Sequence, residues 1–235
     1  MRCPDMEQAK TGRDTPAAAT SLTRVQRNIL AVGERRILNR LCGAMPRWIT
    51  PDRLTAIGMV GSAAIFLGYI ASNWGAAWLA LSLLGYGLQW FGDSMDGSLA
   101  RFRHIERPSY GYFLDHSCDG VTVLLILGGL GLSPYIRLDV ALTALTGYLL
   151  LSVHAFLSAK VTNQLNLTYL AAGPTELRLM LIGLTVAMML LGPAPGAFGQ
   201  VSGFDIFVGT VATILLVLFL CHTAKVARQL ARLGK

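Results

Sequence analysis

The chain has 235 residues, of which 53% are hydrophobic and only 14% charged, and it carries a net charge of +7. Ordinary soluble domains hold about 25% charged residues, so this composition excludes a soluble globular enzyme and points to an integral membrane protein. The basic excess reads as membrane topology and attraction to anionic lipid rather than nucleic-acid binding.

Residues 1–20 are polar, with Pro, Thr and Ala. They lack the apolar core of a signal peptide and are expected to form a disordered tail. Residues 21–47 hold an amphipathic helix, with Leu22, Val25, Ile29, Val32 and Leu41 roughly on one face and Arg24, Arg27, Arg35 and Arg40 elsewhere. Such a helix lies in the membrane interface or packs beneath the bundle, although a cytosolic helix would show the same pattern. Trp48 then serves as an interfacial anchor, and Thr50-Pro51 reads as an N-cap followed by an early helical proline.

From there to residue 235 the spacing predicts one all-α domain, a polytopic bundle of six transmembrane helices. No Asp, Glu, Lys or Arg occurs in 54–92, 120–136, 140–159, 179–204 or 206–224. A span takes roughly 20 apolar residues, so the first run holds two, broken at Ser72-Asn73-Trp74-Gly75. The six spans fall near 53–72, 75–97, 111–133, 138–160, 177–193 and 204–224. With both termini cytoplasmic, nineteen of the twenty Lys and Arg lie on the cytoplasmic side and only Arg137 on the other, as the positive-inside bias requires. The four cysteines, Cys3, Cys42, Cys118 and Cys221, form no Cys-x-x-Cys pair, which argues against a disulfide framework or a zinc site.

Four aspartates collect in residues 92–120, GDSMDGSLARFRHIERPSYGYFLDHSCDG, of a chain with few acids. Asp93 and Asp96 stand three apart near the cytoplasmic end of the second span, hence on one helical face. Gly97 and Ala100 continue that face with almost no side chain, leaving room for a bulky ligand, and Arg101 can grip a phosphate with two parallel hydrogen bonds. Pro108 breaks the helix, and the third span returns with Gly111, Asp115 and Asp119 at intervals of four. Burying four unpaired carboxylates together costs several kcal/mol each, and Arg101 alone cannot offset that. Divalent cations with oxygen ligands fit, and Mg²⁺ typically binds through carboxylates together with substrate phosphates. The combination points to cleavage or transfer at phosphorus.

The string D93-x2-D96-G97-x2-A100-R101-x9-G111-x3-D115-x3-D119 resembles the signature of the CDP-alcohol phosphatidyltransferase family. It departs from the family only by one extra residue between Arg101 and Gly111, in a turn. The lead-in TPDRLT is similar to a Pro-Asn-x-Leu-Thr element of relatives, with Asp52 replacing the Asn. The resemblance implies that Asp93, Asp96 and Asp115 hold two Mg²⁺ or Mn²⁺ ions, with Asp119 helping at the second. It implies that Gly97, Ala100, Arg101 and Gly111 line the CDP site, with Arg101 on the diphosphate. Asp119 would be the general base that deprotonates an acceptor alcohol, and CMP would leave. The implied donor is CDP-diacylglycerol, in phospholipid synthesis at the cytoplasmic face of a bacterial inner membrane, by an enzyme that forms homodimers. The alternative is a small CDP-alcohol such as CDP-choline or CDP-ethanolamine, with diacylglycerol as acceptor. The stretches DHSCD and GPTE lean toward that alternative, and the short six-span chain leans toward the first.

His116, Lys160, Glu176 and Arg178 are candidates for an acceptor pocket, each with a plainer reading. His116 can serve packing, Lys160 can snorkel to the interface, and Glu176 suits the first turn of a helix dipole. His154 reads as an interhelix hydrogen bonder, and Met180, Met188 and Met189 as packing. A membrane prenyltransferase would want a third Asp where Gly97, Ala100 and Arg101 stand. A metal-ion transporter would spread its acids along several helices rather than two.

Overall fold

The computed structural model describes residues 31–162, 174–193 and 201–233; the tail at 1–20 and most of the predicted 161–176 connection lie outside them. Among the described residues there are seven α-helices: α1 (Ala31–Ala44), α2 (Pro51–Ala71), α3 (Leu79–Phe102), α4 (Pro108–Gly131), α5 (Leu138–Thr162), α6 (Pro174–Leu191) and α7 (Gly203–Leu233). The protein is an all-α polytopic membrane protein. Among the described residues, Pro51–Trp74, Pro108–Gly131, Leu138–Val161 and Gly203–Arg232 are long and apolar enough to cross a bilayer. Helix α3 has a sufficient 24 residues, but Gln89, Asp93, Asp96 and Arg101 make its second half polar. Helix α6, at 18 residues, sits at the short end of what a span needs.

Helix α2 starts as its sequence predicts, with the Thr50 side chain accepting from Arg53 N at 3.3 Å and Pro51 in the first turn. It ends in short 3₁₀ turns at Ser72–Trp74 and Ala76–Trp78, where the chain was expected to break. Helices α2 and α3 then press together backbone to backbone. A Cβ on Gly92 would stand 2.3 Å from Gly58 N, and one on Gly61 2.4 Å from Gln89 N. Only glycine allows such an approach, the device by which small residues let membrane helices pack closely. That contact brings the N-terminal part of α2 against the acidic end of α3.

Helix α3 is closed by a Schellman motif: Ile105 N–H reaches Ala100 O at 3.0 Å and His104 N–H reaches Arg101 O at 3.2 Å. His104 takes the left-handed conformation, φ 56°, that this motif demands of its closing residue and that is usually given to glycine. Helix α1 packs against this end of the bundle, with Leu38 and Cys42 buried among Leu54, Met95 and Leu99 and Leu41 beside them. Of the residues predicted for its apolar face, Leu22, Val25 and Ile29 lie outside the described residues. Arg103 fastens the α1–α2 connection, donating to the carbonyls of Ile49 (2.6 Å), Met45 (3.0 Å) and Pro46 (2.9 Å). Burial pushes the Cys42 thiol above its usual range, in keeping with a packing cysteine.

At the far side of the bundle, α5 packs on α7 and α4 on both α2 and α5. Asp205 is buried at the start of α7, accepting from Ser202 N (2.8 Å), Ser202 Oγ (2.9 Å) and Arg137 N (2.8 Å). Helix α6 is held to α2 and α3 by a buried chain of hydroxyls, Thr185 to Tyr69 at 2.6 Å and Tyr69 to Tyr86 at 3.0 Å. His154 bonds Thr223 of α7 through Nδ1 at 3.2 Å, the interhelix role its sequence position suggested.

Candidate active site

The acidic ends of α3 and α4 meet at one end of the bundle. A cleft of about 240 Å³ is lined by Asp93 and Asp96 from α3, Asp115, Cys118 and Thr122 from α4, and Thr55, Gly58 and Met59 from α2, with Gln89. Thus the two predicted faces do converge, and α2 closes the third side.

Each carboxylate has a distinct setting. Asp96 accepts from Thr55 Oγ1 at 2.6 Å and from Gly97 N at 2.5 Å, which orients it toward the cleft. Asp93 accepts from Arg178 Nη2 at 3.0 Å, and the Arg178 Nε donates to Gln89 Oε1 at 2.8 Å. The Arg178 side chain is 12% exposed and that of Asp93 28%, so this pair is partly desolvated and its attraction correspondingly stronger than on an open surface. Among the described residues one group offers donor atoms close enough to share an ion: Asp115, His116 and Asp119, all within 4.8 Å of one another. The His116 ring packs edge-on to Tyr112 at 4.4 Å and against Phe156 at 5.0 Å, which leaves its Nδ1 3.7 Å from Asp119 Oδ2.

A second, larger space begins at the same place. Asp119, Arg178 and Gln89 stand in the lining of a chamber of about 960 Å³, whose other walls are mostly apolar side chains of α4, α6 and α7 with Tyr86 and Tyr148. Asp119 belongs to this chamber, while Asp93, Asp96 and Asp115 belong to the cleft; Gln89 and Thr122 border both.

A family model for CDP-alcohol phosphatidyltransferases matches residues 48–224. The chain belongs to the CDP-alcohol phosphatidyltransferase family. It is therefore a phosphotransferase that moves a substituted phosphate group from a CDP-alcohol to an alcohol, within a family that generally depends on divalent metal. Among curated proteins no sequence match is found.

The phosphatidyltransferase signature residues land unevenly. Arg101 is exposed and folds back over Gly97, where a Cβ would meet its Nη1 at 3.3 Å, and it donates to Ser98 Oγ at 3.3 Å. Gly111 faces open space on α4, with nothing within 4 Å of a Cβ, and Ala100 is half-buried. Lys160 lies exposed in the last turn of α5 and Glu176 half-buried in the first turn of α6; neither lines the cleft or the chamber. Arg178, read from the sequence as an acceptor residue, is drawn onto Asp93 and supplies positive charge beside the acids. Two residues escaped the sequence reading. Thr55 stands in the TPDRLT lead-in, and Gln89 is a polar residue one helical turn before Asp93 in an otherwise apolar run. Both were visible as types, but only the folded geometry assigns them partners.

Proposed function

We propose that this enzyme transfers a substituted phosphoryl group from a CDP-alcohol to an alcohol hydroxyl with release of CMP, at the cytoplasmic face of a bacterial inner membrane with both termini on that side. The observation that carries the reading is the convergence of α3 and α4 carboxylates on one cleft, with Asp119 beside Asp115 and lining an adjoining apolar chamber. The donor set, carboxylate oxygens with one imidazole, fits hard divalent ions. Asp93, Asp96, Asp115 and Asp119 would hold two Mg²⁺ or Mn²⁺ ions, with Thr55 and Arg178 fixing Asp96 and Asp93. Such ions, when bound, offset charge on the transferring phosphoryl oxygens and on the leaving group.

The chain's own groups account for the rest. Arg101 sits one turn beyond Gly97 and can swing from Ser98 to a diphosphate, while Gly97, Ala100 and Gly111 leave space for the cytidine nucleotide. Asp119 takes the proton from the acceptor hydroxyl. The acceptor oxygen forms its bond to phosphorus as the bond from phosphorus to the CMP oxygen breaks. His116, with its Nδ1 3.7 Å from Asp119 Oδ2, stands beside the base at longer than hydrogen-bond distance.

Two substrate pairings satisfy this chemistry: CDP-diacylglycerol with a polar alcohol, which the sequence favours, or a small CDP-alcohol with diacylglycerol. The reading is tested by CMP release from purified protein in liposomes, given both pairings with Mg²⁺ or Mn²⁺ and then with a chelator. Metal-dependent CMP release in either pairing is expected. Silence in both, from protein that is folded and binds metal, would remove it.

A further inference from the structure

Gln89 is a buried polar side chain beside the acids that the aspartate motif does not account for. It is 5% exposed and stands one helical turn before Asp93. Chemistry fixes its orientation: a guanidinium only donates, so the 2.8 Å contact from Arg178 Nε falls on Gln89 Oε1. Nε2 is thereby turned the other way, and its N–H donors find no acceptor among the described residues. A buried donor left unpaired is costly, and one kept in a folded protein calls for a reason.

Position supplies one. Gln89 and Thr122 line both the carboxylate cleft and the adjoining chamber. Thr122 is already engaged, its Oγ1 standing 2.8 Å from Ser62 Oγ and 3.8 Å from Met59 Sδ. Elsewhere in the cleft lining, Thr55 donates to Asp96, ionised carboxylates only accept, and Cys118 offers just the weak donor of a thiol. Gln89 Nε2 is thus the strong uncharged side-chain donor left to the cleft. We infer that Gln89 is a catalytic residue of the transfer: its carboxamide N–H donates to a non-bridging oxygen of the transferring phosphoryl group, while its Oε1 holds Arg178. The inference rests on the function proposed above. During the displacement, charge is spread over those phosphoryl oxygens, and a donor already fixed in place meets it without reorganisation. The amide keeps its proton throughout. Being neutral, it also adds no cation to compete with a metal ion for the carboxylates.

The test measures kcat and KM for CMP release by the full chain in liposomes with Mn²⁺. Both pairings are supplied: CDP-diacylglycerol with glycerol 3-phosphate, serine, inositol or inositol phosphate, and CDP-choline or CDP-ethanolamine with dioctanoylglycerol. Gln89→Met removes both ends of the carboxamide and should lower kcat about 10²-fold, the effect of losing one such donor, with KM for the CDP-alcohol near wild type. Gln89→Glu keeps an acceptor for Arg178 but loses the N–H donors, and should lower kcat at least as far. In an Arg178→Met background, Gln89→Met should cost the same factor again, because residues that act independently add. Thermal unfolding and Mn²⁺ binding identify the folded variants, and each Gln89 variant tests the donor without the other. A folded Gln89→Met or Gln89→Glu with kcat within a few-fold of wild type would overturn the inference. So would a Gln89→Met effect that disappears in the Arg178→Met background, since Gln89 would then act only by supporting Arg178. No CMP release by the wild type in either pairing would count against the underlying reading itself.

Discussion

Arg178 shows how much a single side chain changes the electrostatics of this site. Four carboxylates at one end of two membrane helices cannot be left uncompensated, and the sequence offered only Arg101 as a nearby cation. The structure brings Arg178 from α6 onto Asp93, with Gln89 holding the other edge of the guanidinium. Resident positive charge of this kind supports the site until a metal ion arrives and competes with it afterwards. Arg178→Gln should therefore lower thermal stability in chelator by about 2 kcal/mol, less than for a fully buried pair, and recover most of that in excess Mn²⁺. Thermal unfolding in detergent with and without metal reads this directly, and an equal loss in both conditions would mean that Arg178 is only packing. The same variant should bind Mn²⁺ at least as tightly as the wild type by calorimetry. The contact of Arg178 with Asp93 was not legible in the sequence, because the two stand 85 residues apart along the chain and only helix packing joins them.

At the scale of elements, the α2–α3 contact sets the geometry of the cleft. Gly92 directly precedes Asp93, and Gly58 stands one helical turn after Thr55, so the tightest point of the helix pair lies beside two site residues. Gly92→Ala would place its methyl against the backbone of α2 and should cost about 1–3 kcal/mol, with a larger loss of activity as Asp93 and Asp96 shift. Gly87→Ala, where a Cβ meets nothing within 4 Å, serves as the control and should be neutral or stabilising by about 0.5–1 kcal/mol. At the end of α3, His104→Gly should stabilise by about 1 kcal/mol, because glycine adopts the left-handed conformation without the cost of a Cβ; thermal unfolding checks both variants. Helix positions were legible from charge-free runs, Thr50-Pro51 and Pro108, since these act locally. The cap at His104 was not, because nothing in a histidine announces a left-handed residue. The buried face of α1, Leu38 and Cys42, was missed for a related reason: with charges on most sides, only the partner helix decides which stripe is covered.

For the whole molecule, the sequence placed the acids on two helices and the structure adds what lies around them. The spacing within each helix sufficed to predict a shared carboxylate cleft, because three- and four-residue intervals fix a face. It could not reveal that Asp119, beside Asp115, also lines an apolar chamber built from five helices. Nor could it show that Thr55 reaches across from α2. The arrangement sets a charged cleft beside an apolar chamber, with Gln89 and Thr122 bordering both. Asp119→Asn is the measurement that tests this arrangement most directly. The variant keeps the shape of the side chain and removes its basicity. CMP release should fall by at least about 10²-fold, in the range general bases contribute, while thermal stability and binding of the CDP-alcohol donor stay near wild type. A variant that retains CMP release within a few-fold of wild type would contradict the account.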